Sequence, residues 1–170
     1  MSLASDSISR LVQEELASIQ DPVVREGLIR ILIPPERHVR NWDYGWPGER
    51  FACWTLAVHG QSERSLVYCE RGFGPNAPWG LVHATNLWFG NESNWYRSLR
   101  DCFLDSWAAA ELPIWQVVRN PRSANVEILH SNLGLDKALK LQEVLMRNAR
   151  GAKLTVLARP DAAATMAPTP

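Results

Sequence analysis

An α+β fold is expected for this 170-residue chain on three observations. Helical periodicity opens the chain and returns near its end. The middle carries short apolar runs of strand length, broken by Gly and Pro. All eight tryptophans also fall there, between Trp42 and Trp115. Each such ring removes about 150–250 Å² from water when buried, or roughly 4–6 kcal/mol of gross transfer energy at about 25 cal/mol/Å². Most of these rings must therefore be core, and any left outside mark a contact surface.

Taken in order, Ile8, Leu11, Val12, Leu16 and Ile19 share one helical face, with Ser5, Asp6 and Ser7 placed to cap it. Asp21-Pro22 then restarts a helix, Asp as N-cap and Pro at the first helical position. Val24, Leu28, Ile31 and Leu32 point inward, and Pro34-Pro35 ends the helix. The result is an N-terminal helical hairpin. From Val39 the period changes.

Phe51 to Val58 and Ser65 to Cys69 are apolar on both alternating faces, which marks strands covered on both sides. The polar link from His59 to Arg64 makes them a hairpin. Gly80 to Ala84 supplies a third strand of a mostly antiparallel sheet. Ser93 is placed to cap a helix carrying Tyr96, Leu99, Phe103, Trp107 and Ala110 inward until Pro113. Ile114 to Arg119 reads as a strand, whereas Asn125 to His130 fits either strand or helix. The strongest helix runs from Leu135 to Arg150, with i,i+4 pairs Asp136/Lys140 and Glu143/Arg147 and a stop at Gly151. Lys153 to Ala158 closes the fold as a strand. Helices are expected to pack on the sheet within one domain, residues 1–158, followed by a disordered Ala/Pro/Thr tail, 159–170.

The formal net charge is zero, so no global field draws in nucleic acid or an anionic membrane. No apolar stretch approaches the roughly 20 residues of a membrane span. Three cysteines without a C-x-x-C pair, and Asp6, Glu14 and Glu15 where a signal peptide needs a basic start, point to reduced thiols and a cytoplasmic location.

Chemical motifs are sparse. Gly72-Phe73-Gly74 lacks a third glycine and runs into Pro78 instead of opening a helix, so it reads as a turn, not a dinucleotide loop. His38, His59, His83 and His130 are too scattered for zinc spacing, and no cofactor is expected. Two enzymatic arrangements remain for a small hydrolase: the loop carboxylates Asp43, Glu49, Glu70 and Glu92, or Cys69 with His83 on a neighbouring strand. Their competing roles are to pair with nearby arginines and to pack as a small hydrophobe.

The aromatic loops are the stronger signal. Trp54, Trp107 and Trp115 fall within regular elements and are assigned to the core. Trp46, Trp79 and Trp88 stand beside Pro or Gly and are assigned as exposed anchors, with Asp43, Glu49, Glu70 and Arg71 as polar contacts.

The run Trp42-Asp43-Tyr44-Gly45-x-Pro47-Gly48-Glu49, with Tyr68-Cys69-Glu70-x-Gly72-Phe73-Gly74 and Pro78-Trp79-Gly80, resembles small single-domain bacterial proteins. Some of these are encoded beside polymorphic toxins as immunity proteins. The resemblance covers roughly residues 37–118 and carries over no catalytic or toxin-contact residue. It implies a cytosolic bacterial protein that acts by binding another protein. Homo-oligomerisation is the remaining structural alternative.

Overall fold

In a computed structural model, residues 4–61, 63–91, 93–110, 112–119, 127–148 and 153–158 are described. Glu92, the expected helix stop at Gly151 and the 159–170 tail lie outside them. The architecture is α+β, with the strands in two sheets. The chain forms two compact units, Met1–Ile19 with Leu28–Trp107 and Gln20–Gly27 with Ala108–Pro170.

Helix α1, Ser5–Ser18, buries Ile8, Val12 and Leu16. Its N-cap is Ala4, which makes no side-chain cap. Ser5, Asp6 and Ser7 fall in the first turn rather than at the cap, where Asp6 still faces the positive helix end. Helix α2, Pro22–Ile31, starts as expected: Asp21 Oδ1 accepts from the backbone N–H of Val23 at 2.9 Å and of Val24 at 3.5 Å.

The first unit is built on a six-stranded sheet in the order β5-β1-β2-β3-β4-β6. The strands are β1 (Glu36–Trp42), β2 (Arg50–His59), β3 (Arg64–Tyr68), β4 (Trp79–His83), β5 (Trp88–Phe89) and β6 (Asn94–Tyr96). All pairings are antiparallel except β1 with β5. A bulge between Thr55 and Ala57 shifts the β2–β3 register by one.

Side-chain alternation gives this sheet two different faces. On one lie Trp54, Leu66, Tyr68, Trp79 and Leu81, all buried. Helix α3 (Leu99–Leu104), capped by the Ser98 side chain on the Asp101 N–H, packs there on β4 and β6 and touches α1. On the other, Cys53, Val67, Cys69, Val82 and Phe89 form a cluster against which Trp42, Phe51 and Trp95 pack.

The helix expected from Ser93 is displaced. Asn94–Tyr96 instead pairs with β4, and the helix starts at Leu99 and ends at Leu104, so Trp107 and Ala110 fall in turns. A strand partner for Trp79 and Gly80 outweighs local capping. Gly80 lies opposite Trp95, and a Cβ there would come within 2.8 Å of the indole.

The second unit contains a three-stranded antiparallel sheet, β8-β7-β9, from β7 (Trp115–Arg119), β8 (Glu127–Leu133) and β9 (Leu154–Ala158). Helix α4, Leu135–Asn148, packs on all three strands, and its Gln142 amide donates to the Leu154 carbonyl at 2.9 Å. The ambiguous segment is thus strand from Glu127 onward.

Gly80→Ala is expected to destabilise the protein by about 1–3 kcal/mol, the cost of overpacking a filled site. An unchanged urea midpoint would show that Trp95 does not depend on the bare glycine.

Candidate functional site

The candidate site is the loop cluster at the β1–β5 end of the six-stranded sheet. Its base is a closed circuit of four rings: Trp42 to Phe89 at 4.8 Å, Phe89 to Trp95 at 5.5 Å, Trp95 to Phe73 at 5.4 Å and Phe73 back to Trp42 at 5.0 Å. Tilted and edge-on geometries of this kind add about 0.5–1.5 kcal/mol per pair beyond area burial. Gly72, at φ +91°, lets the backbone lie against this circuit, where a Cβ would meet Phe89 at 3.0 Å and Trp42 at 3.2 Å.

The 42–49 turn is fixed to that base. The Trp42 N–H donates to the Glu49 carbonyl (3.0 Å), and the Glu49 N–H to the Trp46 carbonyl (2.9 Å). The Trp46 N–H donates to Glu49 Oε2 (3.1 Å). The turn is also stapled to the loop after β5. Asp43 Oδ2 accepts from the Asn91 N–H and the Tyr44 hydroxyl donates to Asn91 Oδ1, both at 2.8 Å. On this mount Trp46 is 84% exposed and Tyr44 61%. With Trp42, Gly45 and Glu49 they line a shallow open depression. The Arg71 guanidinium lies 6.0 Å from the centre of the Phe51 ring.

Asp43, Trp46, Glu49 and Arg71 therefore belong to this cluster, and exposed Glu70 begins the loop that carries Arg71 and Phe73. Two of the expected anchors do not. Trp79 is only 1% exposed, as the first residue of β4 with its ring 5.0 Å from Tyr68. Its Pro78 and Gly80 neighbours signalled a turn, but Gly80 is there to admit Trp95. Trp88 is half exposed, yet it alternates with buried Phe89 and so projects from the opposite sheet face to Trp42. Tyr44 and Phe73 were missed as site residues, although both stand in the same Gly-flanked aromatic runs.

Arg40, 3% exposed, anchors the connector that leads to Trp88. Its Nη1 donates to the carbonyls of His83 (3.0 Å) and Asn86, and its Nη2 to that of Ala84 (3.4 Å). Burial pulls the guanidinium below its ordinary pKa, with the nearby Cys53 acting the other way.

The Cys69–His83 pair expected for thiol catalysis is not formed. His83 faces Arg64 at one end of the β3–β4 ladder, and Cys69 follows the opposite end, so about 17 Å of strand separates them. His83 instead meets Glu63 at 3.1 Å. The Asp43 and Glu49 carboxylates are occupied by backbone N–H groups. Among the described residues, no three His, Cys, Asp or Glu side chains converge as metal ligands. No described helix is long and apolar enough to cross a membrane.

A second cleft, on the α3 side, is lined by Arg64, Leu81, Asn94, Asp105, Ser106 and Trp107. Asp105 Oδ2 accepts from the Asn94 amide at 3.0 Å and from the Tyr96 hydroxyl. Burial, then that hydrogen bond and the carboxylate charge, raise the Tyr96 pKa.

No protein-family model, curated protein or solved structure matches this chain.

Because the folded state holds the Tyr96 proton more tightly than the unfolded chain, its contribution is complete below the ordinary tyrosine pKa of about 10 and is lost above it. Stability should fall as pH rises through that range, and Tyr96→Phe should make the fall shallower; Tyr68, Cys53 and Cys102, whose pKa values are also raised, contribute to what is left. Identical slopes for Tyr96→Phe and the parent in urea titrations would contradict the assignment.

Proposed function

We propose that this chain acts by binding another protein through the 42–49 turn and the Arg71–Phe73 loop, with Trp46 as the anchor. The observation that carries this reading is an indole left almost wholly in water on a backbone held by three hydrogen bonds. Covering such a ring gains roughly 4–6 kcal/mol of transfer energy. Because the turn is already ordered, little of that gain is lost to freezing the chain on association.

Tyr44 and Phe73 extend the apolar surface, and Asp43, Glu49, Glu70 and Arg71 provide a mixed-charge rim. This is the usual anatomy of an interface, an aromatic centre with polar surroundings. A standard interface buries about 800 Å² on each side, so the partner reaches past Trp46 to that rim. The particular form we favour is an immunity-type role, in which a cytoplasmic toxin is blocked when its working surface is covered.

The test is affinity capture from the native host, with attention to the product of any adjacent toxin reading frame, using the parent protein and Trp46→Ala. The substitution removes an exposed side chain, so stability should change by no more than about 0.5 kcal/mol. Loss of a hot-spot anchor should weaken binding by about 2 kcal/mol, or roughly 30-fold. Equal recovery of the captured partner by both proteins would refute the assignment of Trp46.

A further inference from the structure

The loop-side face of the six-stranded sheet buries two thiols side by side in its apolar cluster. The β2–β3 hairpin begins with His59 opposite Arg64, and in that register Cys53 would face Glu70. The bulge between Thr55 and Ala57 adds one residue to β2, so that Trp54 meets Tyr68. Continuing that register by one residue past the end of β3 sets Cys53 opposite Cys69, and both lie in one buried cluster.

The type of pair can be assigned from the backbone. The Cys69 N–H donates to the Pro78 carbonyl at 2.8 Å, on the side away from β2. In an antiparallel ladder a residue's N–H and C=O point to the same side, so Cys53 and Cys69 form a non-hydrogen-bonded pair, with Cα atoms about 4.5 Å apart. That lies inside the range of about 4.4–6.8 Å that a disulfide bridges. Both side chains belong to the cluster with Val67, Val82 and Phe89, and both are unbridged thiols.

The facing thiols act on each other in opposite senses. Cys69, together with burial, raises the Cys53 pKa, whereas Cys53 lowers that of Cys69, which the Arg71 backbone N–H and the Arg71 charge lower further while burial and Glu70 oppose this. Arg40 acts on Cys53 in the same sense as Arg71 on Cys69. Cys102 shows the contrast: burial first, then the charges of Asp105 and Asp101, push its thiol well up.

We propose that Cys53 and Cys69 are a redox-active dithiol that a hydroperoxide converts into a cross-strand disulfide joining β2 to β3 beneath the aromatic loops. The Cys69 thiolate attacks the peroxide and breaks its O–O bond, giving a sulfenic acid and, with one proton, a molecule of water from hydrogen peroxide or of alcohol from an organic hydroperoxide. The Cys53 sulfur then attacks the sulfenic sulfur, and the departing hydroxide takes the Cys53 proton to leave as water. The two thiols are oxidised and the peroxide is reduced. Both thiols are fully buried, so the oxidant reaches them only when the Glu70–Ala77 segment, which carries Phe73 of the ring circuit, opens locally. The inference does not rest on the binding role of Trp46.

The experiment treats the folded, reduced, full-length protein with hydrogen peroxide, then alkylates and digests it without reductant for mass spectrometry. The expected product is a Cys53–Cys69 linked peptide pair, lighter by two hydrogens and reversed by dithiothreitol, with Cys102 still alkylatable. Cys102→Ser, which leaves the pair untouched, should give the same link. A sulfinic acid on Cys69 without a link, a link through Cys102, or a Cys53–Cys69 link that forms only in denaturant would overturn the proposal.

Discussion

Mutual packing of Trp42, Phe73, Phe89 and Trp95 is the interaction on which the rest of the first unit depends. A sheet with two apolar faces needs two covers, and here α3 contributes to only one of them. Loops roof the other face, and loops have no regular apolar stripe of their own. Large rings overcome that shortage: each spans enough area to cover several strand residues while the backbone between them turns. The arrangement imposes its own demands. Gly72 must bring the chain against the rings at positive φ, and Gly80 must leave room for the Trp95 indole.

The same roof explains why exposed and hidden groups coexist within a few residues. Because Trp42 is held from below, the turn that follows it can be closed by its own hydrogen bonds and can carry Trp46 outward without melting. Beneath the rings, the sheet keeps a buried guanidinium, whose Nη atoms donate to carbonyls rather than a carboxylate, and a pair of facing thiols. A buried guanidinium is costly unless it is hydrogen-bonded, whereas the thiols pack there as small hydrophobes. A surface for association and a shielded chemical pair thus come from one structural device.

Much of this fold was legible in the residues. Asp21-Pro22 predicted both the position and the cap of α2, because a capping carboxylate and a fixed φ act locally. The β2–β3 hairpin was legible from its apolar runs and polar turn. What escaped were elements defined by their partners. The two residues of β5 and three of β6 have no periodicity to read, and they are strands only because β1 and β4 pair with them. Trp79 was misplaced because a glycine signals a turn and a packing gap in the same letter. The facing of Cys53 and Cys69 depends on a single extra residue in β2, and nothing in the run Phe51 to Val58 announces a bulge.

Fluorine NMR of the protein labelled with 5-fluorotryptophan, in the presence of a soluble paramagnetic agent, tests the account most directly because it reads each indole separately. A roof with one outward ring predicts that the Trp46 signal broadens most, keeps a shift distinct from the unfolded chain, and moves when a partner binds. Trp54 and Trp79 should broaden least. A Trp46 signal as protected as that of Trp79, or uniform broadening across all the tryptophans, would contradict it.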